Sequence, residues 1–237
     1  MRTWIFSIYN EKNSTYFWLN LKFLISKSEK IIIVDGGSQD GTLEKLDNLD
    51  LPFRSYPNSN RGQRYNEALR YADSEIIIFV HPRTLIPSEA LEQIDRLLPC
   101  QVWGAFTHSF DIAHPILQFT SWWSNVIRGD LKHIYYLDHI LWARKRFVEI
   151  AGGFPEESIF EDTMFCRRLL AFGFPSRLPA IAMTSALRFE KNGIWRQIYL
   201  NQLCKIKFYL GLSLDDIEKT YEMNLDLNRS HRKDHKS

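Results

Sequence analysis

The chain has 237 residues with 30 Lys and Arg against 28 Asp and Glu, and its net charge of +2 gives no case for nucleic-acid binding. Hydrophobic residues make up 45% and aromatics 14%, enough for one sizeable domain with its own core. The three cysteines, Cys100, Cys166 and Cys204, lack metal-ligand spacing, and an odd count argues against a disulfide framework, so a reducing cytoplasm fits. The opening apolar run is too short for a signal peptide, and no stretch approaches the roughly 20 apolar residues of a membrane span. A soluble, cytoplasmic protein is expected, with peripheral membrane contact left open.

Trp4 to Tyr9 reads as the first strand, ending in Asn10-Glu11. Ser14 to Ile25 reads as a helix with Phe17, Trp18, Leu21 and Leu24 on a helical period. Ile31 to Val34 places four β-branched residues in a row, the pattern of a fully buried parallel strand. It runs into Asp35-Gly36-Gly37-Ser38-Gln39-Asp40-Gly41-Thr42. The paired glycines permit a tight turn and close approach to a ligand, and Ser38, Asp40 and Thr42 offer caps for a helix over 43–46. Strand, helix, strand implies a right-handed βαβ unit. Asp35 then lies at the crevice where open α/β sheets bind ligands.

Phe53 to Tyr56 is a short strand candidate, followed by a helix that enters at Arg61-Gly62 and whose N-terminus suits an anion. Glu75 to Val80 is another buried strand, delivering His81-Pro82-Arg83-Thr84 to the crevice. A helix over 88–98 and a strand over 102–110 follow. The segment 116–127 is helical in period and carries Phe119, Trp122 and Trp123. That spacing favours core packing; exposed, the aromatics would form an acceptor or membrane-surface platform. Asp138 to Arg144 reads as a strand, 162–168 as a helix opened by Glu161-Asp162, and 175–183 as a last short strand. The amphipathic helix over 194–210, with Trp195, Ile198, Leu203, Ile206 and Phe208, favours core packing over membrane docking.

Val34 to Thr42 resembles the nucleotide-binding signature of family 2 glycosyltransferases. Gly152-Gly153-Phe154-Pro155-Glu156, followed by Glu161-Asp162 and Arg167-Arg168, resembles a second segment of that family. Asn10-Glu11 resembles the end of the first strand in the same family, and Arg61 with Asn66, Asp138 with Arg144, and Thr184 to Gly193 are similar to a small bacterial subset of it. The resemblance runs from Asn10 to about Tyr221. It implies the α/β GT-A fold, a Rossmann-like mixed, mostly parallel sheet flanked by helices, as a single domain over 1–225. The charged tail over 226–237 is expected to be disordered.

The same resemblance implies nucleotide contacts from Asn10, Glu11, Asp35, Gly37, Ser38, Asp40, Arg61 and Asn66, and diphosphate contacts from Arg83 and Arg188. It makes Asp162 the catalytic base beside Glu161, and puts Asp138 and His139 on the acceptor side. Two departures stand out. Arg83 occupies the place of the acid in an Asp-X-Asp-type motif. Mg²⁺ or Mn²⁺ is the family norm, but these cations take oxygen ligands, so no metal ligand is assigned. Arg83 either supplies positive charge to the diphosphate itself or marks a decayed site. His139 and Ile140 replace Gln-Gly, and the lost glycine implies a changed backbone or a narrower pocket. His139 offers a base or a ligand, although a lone histidine is more often structural.

The implied activity is inverting transfer of a sugar from a nucleotide-diphosphate donor to a hydroxyl acceptor. The alternative is a catalytically degenerate nucleotide-sugar-binding relative, which Arg83 favours. A sugar nucleotidyltransferase ranks below both, because the first strand lacks the glycine-rich loop such enzymes carry. The sequence assigns no oligomeric state.

Overall fold

Eight strands join in one sheet in the computed structural model, which describes residues 1–157 and 159–222. They are β1 (Arg2–Ile8), β2 (Lys30–Asp35), β3 (Arg54–Ser55), β4 (Ile76–Val80), β5 (Thr84–Leu85), β6 (Trp103–Phe110), β7 (Leu141–Arg144) and β8 (Ser176–Thr184). Their order is β3-β2-β1-β4-β7-β6-β8-β5. The first four are parallel, β7 runs antiparallel between β4 and β6, β6 and β8 are parallel, and β5 is antiparallel to β8. The helices are α1 (Thr15–Ser26), α2 (Thr42–Asp47), α3 (Arg61–Leu69), α4 (Ala90–Asp95), α5 (Pro115–Trp122), α6 (Lys145–Ile150), α7 (Glu161–Leu169), α8 (Leu187–Asn192), α9 (Ile194–Tyr209) and α10 (Leu214–Glu222). Helix α5 runs on into π-helical turns over Trp123–Leu131.

The sheet has to curl. Thr84 lies four residues beyond Val80, yet β5 is four strands from β4 in the sheet order. Four residues reach about 14 Å, whereas four strand spacings in a flat sheet span about 19 Å. The curl gathers the ends of β1, β4, β6 and β8 around one cleft.

Side-chain alternation divides the core into two layers. Trp4, Phe6 and Ile8 of β1 with Ile78 and Val80 of β4 pack against Phe17, Leu21 and Leu24 of α1 and Ile94 of α4. Ile5, Ile77 and Phe79 face the other way, onto Tyr65 and Ala68 of α3 and Phe165 and Leu169 of α7. Phe154 stacks between Tyr65 and Phe165, with ring centroids 4.9 and 3.9 Å away.

Several expectations need correction. Ile31 and Ile32 are only half-buried, because β3 pairs with β2 at Val34 and Asp35 alone and leaves the start of β2 at the sheet edge. Asp138 is not in a strand: Leu137–His139 form a 3₁₀ turn, and β7 starts at Leu141. Phe119, Trp122 and Trp123 are exposed, since Leu117 and Ser121 take the buried face of α5. On α9 the buried residues are Gln197, Leu200 and Cys204, while Trp195 and Ile206 are exposed. Helix α10 was not anticipated; it packs on α9. The tail over 226–237 lies outside the described residues. Among the described residues no helix is long and apolar enough to cross a membrane.

Candidate active site

The β2–α2 turn is built around the Asp35 carboxylate. Oδ2 accepts the backbone N–H of Gly37 at 2.7 Å and of Ser38 at 2.9 Å, and Oδ1 accepts the Ser38 hydroxyl. Gly37 takes φ +100°, which a side chain would resist. Helix α2 is capped differently from expectation. Gly41 is its N-cap, and Asp40 folds over it, Oδ1 accepting Thr42 N–H at 3.0 Å and Oδ2 accepting Lys12 N–H at 2.9 Å. Asn10 ties the ends of β1 and β2 together, donating its N–H to Ser38 Oγ at 2.8 Å and accepting Gln39 N–H at 2.9 Å. Asp35 is fully buried, and none of Asn10, Asp35, Gly37, Ser38 and Asp40 lines the adjoining cleft. They shape its wall from behind.

That cleft, of about 330 Å³, is lined by the ends of β1, β4, β6 and β8 and by side chains of α3, α8 and α9. Glu11, Arg61, Arg83, Arg188, Asp138 and Asp162 all line it. Asn66 and Glu161 do not. The Asn66 amide is spent on Phe154, accepting its N–H at 2.8 Å and donating to its carbonyl at 2.9 Å, so it clamps the Gly153 loop to α3. Glu161 is buried and ion-paired with Arg61 Nε. Burial alone would lower the Arg61 pKa, but Glu161 and Asp162 more than offset it and the pKa is raised. At the N-terminus of α3, Asn60 and Gln63 form a capping box, each side chain accepting the other's backbone N–H at 2.9 Å, so these two N–H groups are already taken.

Arg83 turns into the cleft, where its Nε donates to Glu11 Oε2 at 3.2 Å. Glu11 is buried, which pushes its pKa up while Arg83 partly offsets the push. Beside them Arg64 donates to Ser7 Oγ at 2.8 Å; burial, then repulsion from Arg61, lowers its pKa to about 10. His81 stands among these cations. Burial, then Arg61, Arg83 and Arg188, push it well below the usual histidine value, so it is neutral. Its Nδ1 accepts the Arg83 N–H at 3.2 Å. Arg188, from α8, holds its guanidinium 4.4 Å from the Tyr221 ring.

Asp162 is in the first turn of α7, where the helix dipole favours an acid. Oδ1 accepts Thr163 N–H at 2.7 Å and Oδ2 accepts Leu137 N–H at 3.2 Å. Burial and the neighbouring Glu161 nevertheless raise its pKa. On the far side Asp138 Oδ2 lies 3.7 Å from His108 Nε2. His139 is fully buried and does not line the cleft. Its Nδ1–H donates to the Phe106 carbonyl at 3.1 Å, and its Nε2 lies 2.6 Å from Ser124 Oγ, which donates to a ring that burial keeps neutral. Both ring nitrogens are thus engaged within the protein. Ile140 takes φ +53°, a conformation that β-branched residues rarely adopt, and its side chain is fully buried in the core.

The residues do not fit a divalent cation. Arg83 engages the Glu11 carboxylate in the cleft, and among the described residues no three His, Cys, Asp or Glu converge as ligands. Sequence reasoning brought His81 to the crevice without a role and passed over Arg64, His108, Arg128 and Lys205, all of which line the cleft. His81 was within reach, at the end of a strand already assigned to the crevice. Arg128 and Lys205 come from helices whose spacing speaks only of packing.

Residues 3–96 match the family model of glycosyl transferase family 2. The mannosyltransferase PcManGT from Pyrobaculum calidifontis, in complex with GDP-Man and Mn²⁺, superposes with a TM-score of 0.62 at 18% identity, over 86% of this chain and 61% of that one. The fold is GT-A. A second GT-A structure, S. aureus TarS 1-349 in complex with UDP-GlcNAc, gives 0.61 at 20% identity, over 78% of this chain and 58% of that one. Glucosyl-3-phosphoglycerate synthase from M. tuberculosis gives 0.57 at 14% identity, over 90% and 81%. This GT-A chain spans about three fifths of the first two proteins' length. No curated protein matches it. The family match covers the Val34–Thr42 signature and ends within the residues after α4, so the Gly152–Arg168 segment rests on the fold and on its motif.

Proposed function

We propose that the protein transfers a sugar from a nucleoside-diphosphate donor to a hydroxyl acceptor with inversion, using Arg83 where relatives use a metal-binding acid. The observation that carries the reading is one cleft holding both a buried carboxylate with a raised pKa, Asp162, and a ring of guanidinium groups, Arg61, Arg83 and Arg188, around His81. Asp162 takes the proton from the acceptor hydroxyl. The freed oxygen bonds to the anomeric carbon as the bond to the diphosphate breaks, and the leaving oxygen keeps the electron pair. Fixed cations in a partly dry site stabilise that developing charge, and a guanidinium does so with two parallel donors. The Asn10–Asp40 network holds the nucleotide wall, with Glu11 and Arg61 at its edge and Asp138 on the acceptor side.

The Arg83–Glu11 pair favours a second reading, a binding protein that keeps the nucleotide pocket and turns nothing over. Calorimetry with UDP and GDP on wild type and Arg83→Ala tests the shared premise. Binding weakened at least tenfold by the substitution supports a diphosphate role for Arg83. Binding of neither nucleotide removes both readings.

A further inference from the structure

Two cations reach the cleft from helices that the donor machinery leaves unused: Arg128 from the π-helical turns and Lys205 from α9. Arg128 stacks on the Tyr136 ring, 3.3 Å from its centroid, which fixes the plane of its donor fork. One terminal nitrogen donates to Ser124 Oγ and lies 3.3 Å from His139 Nε2, and its Nε is buried with no acceptor among the described residues. The Lys205 side chain makes no hydrogen bond or ion pair among the described residues. Burial, then repulsion from Arg128, lowers its pKa to about 8. Asp138 is the acid that partly balances the pair. Two like charges on the wall of one cleft repel each other, and an anion placed between them relieves that repulsion.

In the transferase reading Arg61, Arg83 and Arg188 take the donor diphosphate, which leaves this pair surplus to it. We propose that Arg128 and Lys205 bind a phosphate group on the acceptor, so that the protein glycosylates a phosphate-bearing hydroxyl compound. The proposal rests on the transferase reading and narrows its acceptor. His108 lines the cleft next to them, with both ring nitrogens lacking a hydrogen-bond partner among the described residues, and is placed to meet a hydroxyl of the same molecule.

The test is calorimetric titration of glycerol 3-phosphate, with glycerol as control, into the full chain and its Lys205→Gln, Lys205→Arg and Arg83→Ala variants, beside UDP and GDP titrations. Vesicles of phosphatidic acid in phosphatidylcholine form a second arm. The expected result is phosphate-dependent binding that Lys205→Gln weakens at least tenfold, while Lys205→Arg stays within about threefold of wild type. Binding of glycerol 3-phosphate identifies a soluble ester, and binding of vesicles alone identifies a lipid headgroup. Either supports the site when it depends on Lys205. Binding to neither probe, binding unchanged in Lys205→Gln, binding lost in Lys205→Arg, or loss confined to Arg83→Ala overturns the proposal. Failure of UDP and GDP alone removes the transferase reading, while the phosphate titrations still judge the oxyanion site.

Discussion

Asp162 sits where a carboxylate is reluctant to ionise, with burial and Glu161 both opposing its charge. A base works only when ionised, so a raised pKa moves the loss of activity to higher pH. We expect kcat/KM to fall on acidification with a midpoint well above the value of about 4 for an ordinary aspartate. A pH–rate profile checks this, and a midpoint at or below that value contradicts it. Asp162→Asn should lower kcat by about 10²- to 10⁴-fold. At Ile140 two effects compete. Glycine would relieve a positive-φ strain of about 1–3 kcal/mol, but removing a fully buried isoleucine costs about 2–5 kcal/mol. Burial wins on these magnitudes, so Ile140→Gly should lower the midpoint of chemical denaturation.

The element that holds the site together is α3, and it does so through close contact. A Cβ at Gly62 would stand 2.3 Å from the Pro155 carbonyl oxygen. Gly62→Ala should therefore push α3 off the 152–157 loop and cost about 1–3 kcal/mol. Asn66→Ala should leave the backbone N–H and C=O of buried Phe154 unpaired, at a cost of about 1–3 kcal/mol. Thermal melts of both variants check these losses, and unchanged melting would refute the clamp. The same contacts show why the motif was legible and its residues' duties were not. Asp35, Asn66 and Glu161 belong to segments that build the site, but their polar atoms serve a turn, a loop and an arginine. A one-dimensional pattern marks the segment, while the hydrogen-bond partner that decides a duty lies up to a hundred residues away, as for Arg61 and Glu161.

At the scale of the molecule, the β-branched runs of β2 and β4 and the strand–helix alternation around them made the parallel half of the sheet readable. The strand β7 lay within the segment read as a strand over 138–144, but the pairing of β5 with β8 was not readable, because β5 is two residues long and its partner lies 100 residues on. The aromatic segments were misjudged for a related reason: helical spacing tells which residues share a face, not what covers it. Phe119, Trp122 and Trp123 cluster with centroids 5.7 to 6.4 Å apart on an exposed face. Replacing Trp122 and Trp123 with serine should thus leave the thermal midpoint almost unchanged, whereas a large drop would show that the face is covered.

The central claim is that a fixed guanidinium takes the place of a metal in a working transferase. Its most direct test is transfer and donor hydrolysis against a panel of nucleotide-sugars, with and without chelator, for wild type, Arg83→Ala and Asp162→Asn. The account predicts turnover that survives the chelator and is lost in both variants. Turnover that the chelator abolishes, or that Arg83→Ala leaves intact, would contradict it.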